Sequence, residues 1–327
     1  MEFQVFFLWN FKHSINYHNF QFNRGKIEVI KDHKGGNVMF KKLVVVNEPN
    51  LYDNEVLKFA KSMKFTETEE IVLALKKGTD EVDDRKSTLA KEQSEILQSL
   101  EAEGLKTSTV DLDQLPIEAI NGLIKNDDKY DSLIIVGAKK SSLGKRIFDS
   151  EFAYELIQIP TKPILVVRMK ESENFQYSTV PAEGITKESH VLFPTDFSEN
   201  AYYAFAYLEK LVEAGLKHVT LMHIQDIAKI SPYLDYRIIE FNKIDTDRLE
   251  GLKQRLEKLG DVKVDIILDI GRPFKEISHV VDEAKVDLLL LGRQGKGILK
   301  DIFIGSNSNN LTRRVNCSVL LVPMIKK

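Results

Sequence analysis

The chain has 327 residues, 43% of them hydrophobic and 29% charged, with a formal net charge of −3. That is an ordinary globular balance with ample core material and room for about two domains, and it gives no bulk charge for wrapping nucleic acid or an anionic membrane. A single cysteine, Cys317, excludes a disulfide framework and points to a reducing, cytoplasmic compartment, and no apolar run approaches the roughly 18 residues of a membrane span.

Residues 1–38 differ in character from the rest. The run Phe3–Phe11 is aromatic-rich, holds the only tryptophan, and lacks the basic start and small-residue cleavage site of a signal peptide. Lys34-Gly35-Gly36 can be encoded by a purine-rich, ribosome-binding stretch, with Asn37-Val38 as spacer before Met39. The expectation is that residues 1–38 are a translated leader or disordered extension and that Met39 is the native start; the alternative is a membrane-associating or partner-binding segment. The codons of Lys34–Gly36, or an intact mass of the native protein, decide between them.

From Met39 onward the chain runs twice through one plan. Lys41–Val46 and His190–Pro194 each read as an opening buried strand. Tyr130–Gly137 parallels Val286–Gly292, and Pro163–Val167 parallels Ser318–Val322. The distance from Gly137 to Ile164 and from Gly292 to Val319 is the same 27 residues, so the closing units align without a gap. Between the strands lie amphipathic stripes: Ala201, Ala204, Phe205 and Leu208 behind a cap at Ser198; then Leu249, Leu252, Leu256 and Leu259; then Ile277, Val280, Val281 and Ala284. Strands alternating with helices predict right-handed crossovers and parallel sheets covered on both faces. The expected domains are 39–170 and 188–327, joined by a polar, turn-rich linker over 171–187.

The most informative motif follows the apolar strand Asp287–Leu291. It reads Gly292-x2-Gly295-x9-Gly305-Ser306, and Gly305-Ser306-Asn307-Ser308 opens a helical stretch marked by Leu311 and Val315. Glycines at the end of a buried strand let bare backbone N–H groups approach an anion, and a helix start adds free donors and a positive dipole end. Strand, glycine turn and helix start together make a candidate phosphate site.

With Phe193–Ser198 after the first strand, Leu221–Ile224 on the second, Gly271-Arg272-Pro273 before the third helix, and this glycine motif, residues 39–325 resemble the universal stress protein family in its tandem two-domain form. The resemblance implies, for each domain, a five-stranded parallel sheet with helices on both faces, of the adenine nucleotide alpha hydrolase-like kind. It also implies ATP in the second domain, with Mg2+ accompanying the phosphates. Asp196 would accept from ribose or adenine, or cap the helix that follows, the two roles being compatible. Pro194, Thr195 and Leu291 would line the site, and Ile224 would offer backbone and apolar contact to adenine. Gly292, Gln294, Gly295 and Gly305 would admit the phosphates, with Ser306, Asn307 and Ser308 as donors and Arg293 and Lys296 as neutralising charges.

The first copy departs from this pattern. Gly137 survives, but Lys140, Ser150 and Glu151 stand for Gly295, Gly305 and Ser306, and Glu48-Pro49 stands for Asp196-Phe197. It is expected to have lost the nucleotide and to serve as the other half of an internal pseudo-dimer, with Lys139 and Lys140 leaving room for a different anion and homodimerisation left open. The implied function is a nucleotide-dependent stress-response protein. The alternatives are a slow ATP-hydrolysing or self-phosphorylating enzyme, or a ligand-free adaptor. The chain carries no G-x4-G-K-[ST] loop, and its histidines and lone cysteine lack metal-ligand spacing, so no catalytic or metal residues are assigned.

Overall fold

The computed structural model describes residues 39–52, 54–76, 85–113, 115, 118–124, 132–140, 151–158, 162–174, 176–226, 238–293 and 305–324. Residues 1–38, and with them the expected leader, lie outside the described residues, as do Gln294, Gly295 and Lys296.

The first half comprises β1 (Lys42–Asn47), α1 (Pro49–Tyr52), α2 (Glu55–Ala60), β2 (Glu70–Leu75), α3 (Arg85–Ala102), β3 (Lys106–Asp111), α4 (Glu118–Ile124), β4 (Ser132–Lys139), α5 (Glu151–Gln158) and β5 (Ile164–Glu171). After β6 (Tyr177–Val180), the second half follows with β7 (His190–Pro194), α6 (Glu199–Glu213), β8 (His218–Asp226) and α7 (Ile238–Glu257). It closes with β9 (Lys263–Gly271), α8 (Pro273–Glu283), β10 (Leu288–Gly292), α9 (Ser306–Arg314) and β11 (Ser318–Val322).

All the strands belong to one sheet, ordered β3-β2-β1-β4-β5-β11-β10-β7-β8-β9. Each half contributes five parallel strands in the same relative order, as expected, and the halves meet where β5 pairs antiparallel with β11, Leu165 opposite Leu320. The segment read as an aperiodic linker holds a strand: β6 pairs antiparallel with β5, Arg168 opposite Val180. Its short Tyr-Ser-Thr-Val run is legible only beside the β5 backbone it pairs with.

The central strands are buried on both faces, which explains their unbroken apolar runs. One apolar cluster includes Val44, Val136, Ile164 and Val166 of the first half with Leu289, Val319 and Leu321 of the second. Ile120, Leu156, Ile277 and Leu311 from α4, α5, α8 and α9 cover it. On the opposite face Phe193 of β7 meets Phe205 of α6 at a 5.6 Å centroid distance. The stripe Ala201, Ala204, Phe205 and Leu208 is buried as expected, whereas the third stripe stops at Val281, Ala284 being exposed just past the end of α8.

Candidate functional site

In the second half β7 leads one way in the sheet to β8 and β10 leads the other way to β11, while β7 and β10 are neighbours. The crevice at the carboxyl ends of such a pair is where open α/β sheets take ligands. Both expected site segments, Pro194–Ser198 and the glycine motif, leave the sheet there.

The β7–α6 connection is tightly built. Thr195 N–H donates to the Met222 carbonyl at 2.8 Å, Thr195 Oγ1 accepts from Phe197 N–H at 3.0 Å, and Asp196 Oδ1 accepts from Ser198 N–H at 3.0 Å. Ser198 is the N-cap of α6, its Oγ accepting from Ala201 N–H at 3.2 Å. These local turns hold Phe197 at φ 55°, a left-handed conformation uncommon for a bulky side chain. Backbone held this way costs energy and persists where its surroundings over-determine it. Here the Phe197 ring lies 4.6 Å from the His223 ring and 5.1 Å from the Arg248 guanidinium.

His223 in turn braces the loop. Its Nδ1 donates to the Thr195 carbonyl at 2.7 Å, an assignment forced because a carbonyl only accepts, and its Nε2 faces Asp245 at 3.5 Å. Asp245 also accepts from Arg248 and from Gln225 Nε2, each at 3.1 Å. Sequence reading assigns His223 no role. The turn chemistry of Thr195, Asp196 and Ser198 is legible in the sequence, but Met222 and His223 of β8, which hold Thr195, are tertiary partners.

Ile224 is 8% exposed and its side chain belongs to the apolar cluster under α8 and α9. Any contact with a ligand therefore falls to its backbone and the edge of that side chain.

Around the glycine motif, the structure separates roles that the sequence merged. A Cβ on Gly292 would lie 2.9 Å from the Asn200 carbonyl oxygen and 3.2 Å from its carbon, so α6's first turn packs on a bare Cα. Gly305 is the N-cap of α9 with φ −59° and ψ 145°, backbone open to any residue. Gly305 brings no side chain to cap this end, and no acidic residue sits in the first turn of α9. The end of β10 and the start of α9 are tied to each other: Ser308 Oγ donates to the Gly292 carbonyl at 2.9 Å, and Gly305 N–H to the Arg293 carbonyl at 2.9 Å. The first helical bond is Asn309 N–H to the Gly305 carbonyl at 2.8 Å, so the N–H groups of Ser306, Asn307 and Ser308 precede it. Ser306 and Asn307 are exposed.

Two expected charge roles need correcting. Arg293 is not a loop cation: it is 6% exposed and donates through Nη2 to the Gln158 carbonyl of the first half, and burial holds its pKa down at about 10. In the first half Lys139 Nζ is held by Glu171 at 2.9 Å and the Tyr177 hydroxyl at 3.0 Å, and Lys140 donates to Asn316 at 2.8 Å. Burial and tertiary partners thus take up the charges of Arg293 and Lys139, while Lys140 stays exposed beside a neutral amide. Cys317 is buried and free, its thiol pushed up to about 12 by desolvation, as an inert core residue would be.

Sheet register fixes the equivalences between halves. Leu43 lies opposite Leu133 as Val191 lies opposite Leu288, and Leu43 pairs with Ile71 as Val191 pairs with Val219. Glu48 therefore stands for Asp196, Tyr52 for Asn200, and Lys76 for Ile224. Tyr52, 1% exposed, packs where a Cβ on Gly137 would come within 2.8 Å of its ring. Lys76 Nζ donates to the carbonyls of Leu112 and Asp113 at 3.1 Å each and sits 5.6 Å from the Phe152 ring centroid on α5.

Among the described residues no group of three metal-binding side chains converges, and no helix is long and apolar enough to cross a membrane.

Comparison with known proteins agrees with this architecture. The model of the universal stress protein family matches residues 188–323. A universal stress protein of Methanocaldococcus jannaschii is 30% identical over 151 residues, 40% of this chain and 93% of that protein. One from Thermus aquaticus is 27% identical over 143 residues, 40% of this chain and 96% of its own length. Among solved structures, a universal stress protein of Archaeoglobus fulgidus superposes with a TM-score of 0.55 at 19% identity, covering 86% of this chain and 98% of that one. A putative universal stress protein of Pseudomonas aeruginosa gives 0.57 at 13% identity, over 88% and 94%. These two show that the tandem fold extends across both halves. The chain belongs to the universal stress protein family.

Proposed function

We propose that the second half binds one adenine nucleotide, ATP with accompanying Mg2+, and that the protein acts as a nucleotide-dependent regulator in a stress response. The observation that carries this is the start of α9. Three N–H groups precede the first helical bond, the N-cap Gly305 has no side chain to cap them, and the first turn of α9 holds no acidic residue to oppose an anion. Gly305 needs no glycine for its own backbone angles. A bare Cα at that position would admit close approach of a phosphate. Asp196, at the end of the neighbouring strand, would take the ribose or adenine, with Pro194, Thr195, Leu291 and the backbone of Ile224 beside it. Gln294 and Gly295 would complete the phosphate loop.

The first half supports a stoichiometry of one. Lys76 crosses the position of Ile224, Tyr52 fills the space beside Gly137, and α5 opens with Glu151 where α9 opens with Ser306. A carboxylate at a helix start repels phosphate. We take a reducing, cytoplasmic location, which the free, buried Cys317 suits.

Both ring nitrogens of His223 are engaged, and His190 and His218 begin β7 and β8 at the opposite sheet edge, so none of these three histidines is poised as a base for ATP consumption. Calorimetric titration of the full chain with ATP tests the proposal. One site is expected, with Gly305→Val and Asp196→Ala each weakening binding at least about tenfold by crowding the phosphate or leaving a polar ligand group unpaired. Undiminished affinity in Gly305→Val would sink the proposed phosphate site.

A further inference from the structure

Arg293 touches three parts of the molecule at once. Its N–H donates to the Val322 carbonyl of β11 at 2.9 Å, and its carbonyl accepts from Gly305 at the start of α9. Its side chain reaches into the first half, donating to the carbonyl of Gln158, the last residue of α5. A second arginine runs the other way. Arg168 of β5, 2% exposed, donates through Nη2 to the Thr312 carbonyl of α9 at 2.5 Å and through Nη1 to the Ala138 carbonyl at 3.4 Å.

α5 and α9 are the equivalent last helices of the two halves. Each therefore has its carbonyl end held by an arginine of the other half. Last-turn carbonyls lack helical partners and carry the negative end of the dipole, so a guanidinium is favourable there. Both arginines are nevertheless desolvated, which holds each pKa down at about 10 and leaves both charged at neutral pH. Buried charges add little net stability, and their best-attested use is to fix register between packed parts.

We propose that Arg293 is a positioning residue: it anchors the end of β10 and the start of α9 to α5 of the first half, with Arg168 holding the far end of α9. The first half then sets the geometry of the nucleotide site, and nucleotide binding tightens the contact between the halves. The ligand-linked part rests on the nucleotide site proposed above; the anchoring of α9 does not.

Hydrogen exchange on the full chain separates the two. Without nucleotide, Arg293→Met should speed exchange in Gly305–Arg314 about tenfold and leave β8 and β9 unchanged, and Arg293→Lys, which keeps a donor, should recover most of the protection. Unchanged exchange in α9, or an equal rise across the whole second half, would overturn the anchoring role. In the wild type, ATP should slow exchange at Leu156–Gln158 of α5, since coupling is reciprocal. Protection of α9 alone would overturn the coupling, and this arm needs no variant to fold. If the wild type binds no ATP, the nucleotide site fails while the ligand-free comparison still decides the anchor.

Discussion

Gly292 and Gly305 belong to one motif but answer to different constraints. At Gly292 the obstacle to a side chain is the Asn200 backbone of α6, 2.9 Å from an ideal Cβ, and a helix backbone cannot step aside as a side-chain tip can. Gly292→Ala is therefore expected to destabilise the nucleotide-free protein by about 1–3 kcal/mol, the usual cost of overpacking. Ser306→Ala, at an exposed position, should leave stability within about 0.5 kcal/mol. Denaturant titration of both variants without nucleotide checks this, and an unaffected midpoint in Gly292→Ala would remove the packing explanation. The same constraint accounts for Gly137, which persists in the half whose other motif positions have changed: its missing Cβ makes room for Tyr52 and Val56. The sequence showed which glycines recur and which do not. It could not show why, because Asn200 and Tyr52 reach the strand ends only through tertiary packing. Arg293 was misjudged for the same reason, since its acceptor lies 135 residues away.

Among the elements, those with strong period were legible and those defined by a neighbour were not. Ser198 announced α6 by its cap chemistry, and buried strands announced themselves by apolar runs. β6 exists because β5 offers it an edge, and the polar Tyr177–Val180 carries no alternation to betray it. The paired starts of β7 and β8 are a further case. In-register pairing sets His190 against His218, their rings stacked at 3.9 Å with planes 6° apart. The His190 Nδ1 donates to the Ala284 carbonyl at 3.2 Å, and its Nε2 meets Thr220 Oγ1 at 2.8 Å. Burial, then the neighbouring His218, lowers its pKa below the ordinary 6.5, outweighing the Ala284 carbonyl, Asp287 and Asp265, which act in the opposite direction. The unfolded chain thus takes up this proton before the native one does. Stability from the neutral ring is complete above about pH 6.5 and is lost as pH falls from there toward the folded pKa. Asp265 does not titrate in that window, because Lys263 and His218 hold its carboxyl below the usual range. Denaturant midpoints measured from pH 7.5 to 5 should fall in the wild type and fall less in His190→Gln, and parallel curves would refute the assignment.

At the scale of the whole molecule the two halves share a sheet and one apolar layer. Ile164, Val166, Val319 and Leu321 are all at most 1% exposed, and the cluster they join draws helices from both halves. Separating the halves would expose this surface, open the β5 and β11 edges, and take the Thr312 and Gln158 carbonyls away from Arg168 and Arg293. The halves should accordingly unfold together, although the proposed nucleotide touches only one. Saturating ATP at about 100 times its dissociation constant adds roughly 2.7 kcal/mol to whatever unit unfolds with the site. For a cooperative unit of this size each kcal/mol moves the midpoint about 2 °C, so calorimetry should show a single transition displaced by about 5 °C. Independent halves would behave differently, with two transitions of which only one responds to ATP. The outcome bears directly on the role of the first half. A partner that shares the full displacement without holding ligand is part of the sensor, whereas one that melts on its own is only attached to it.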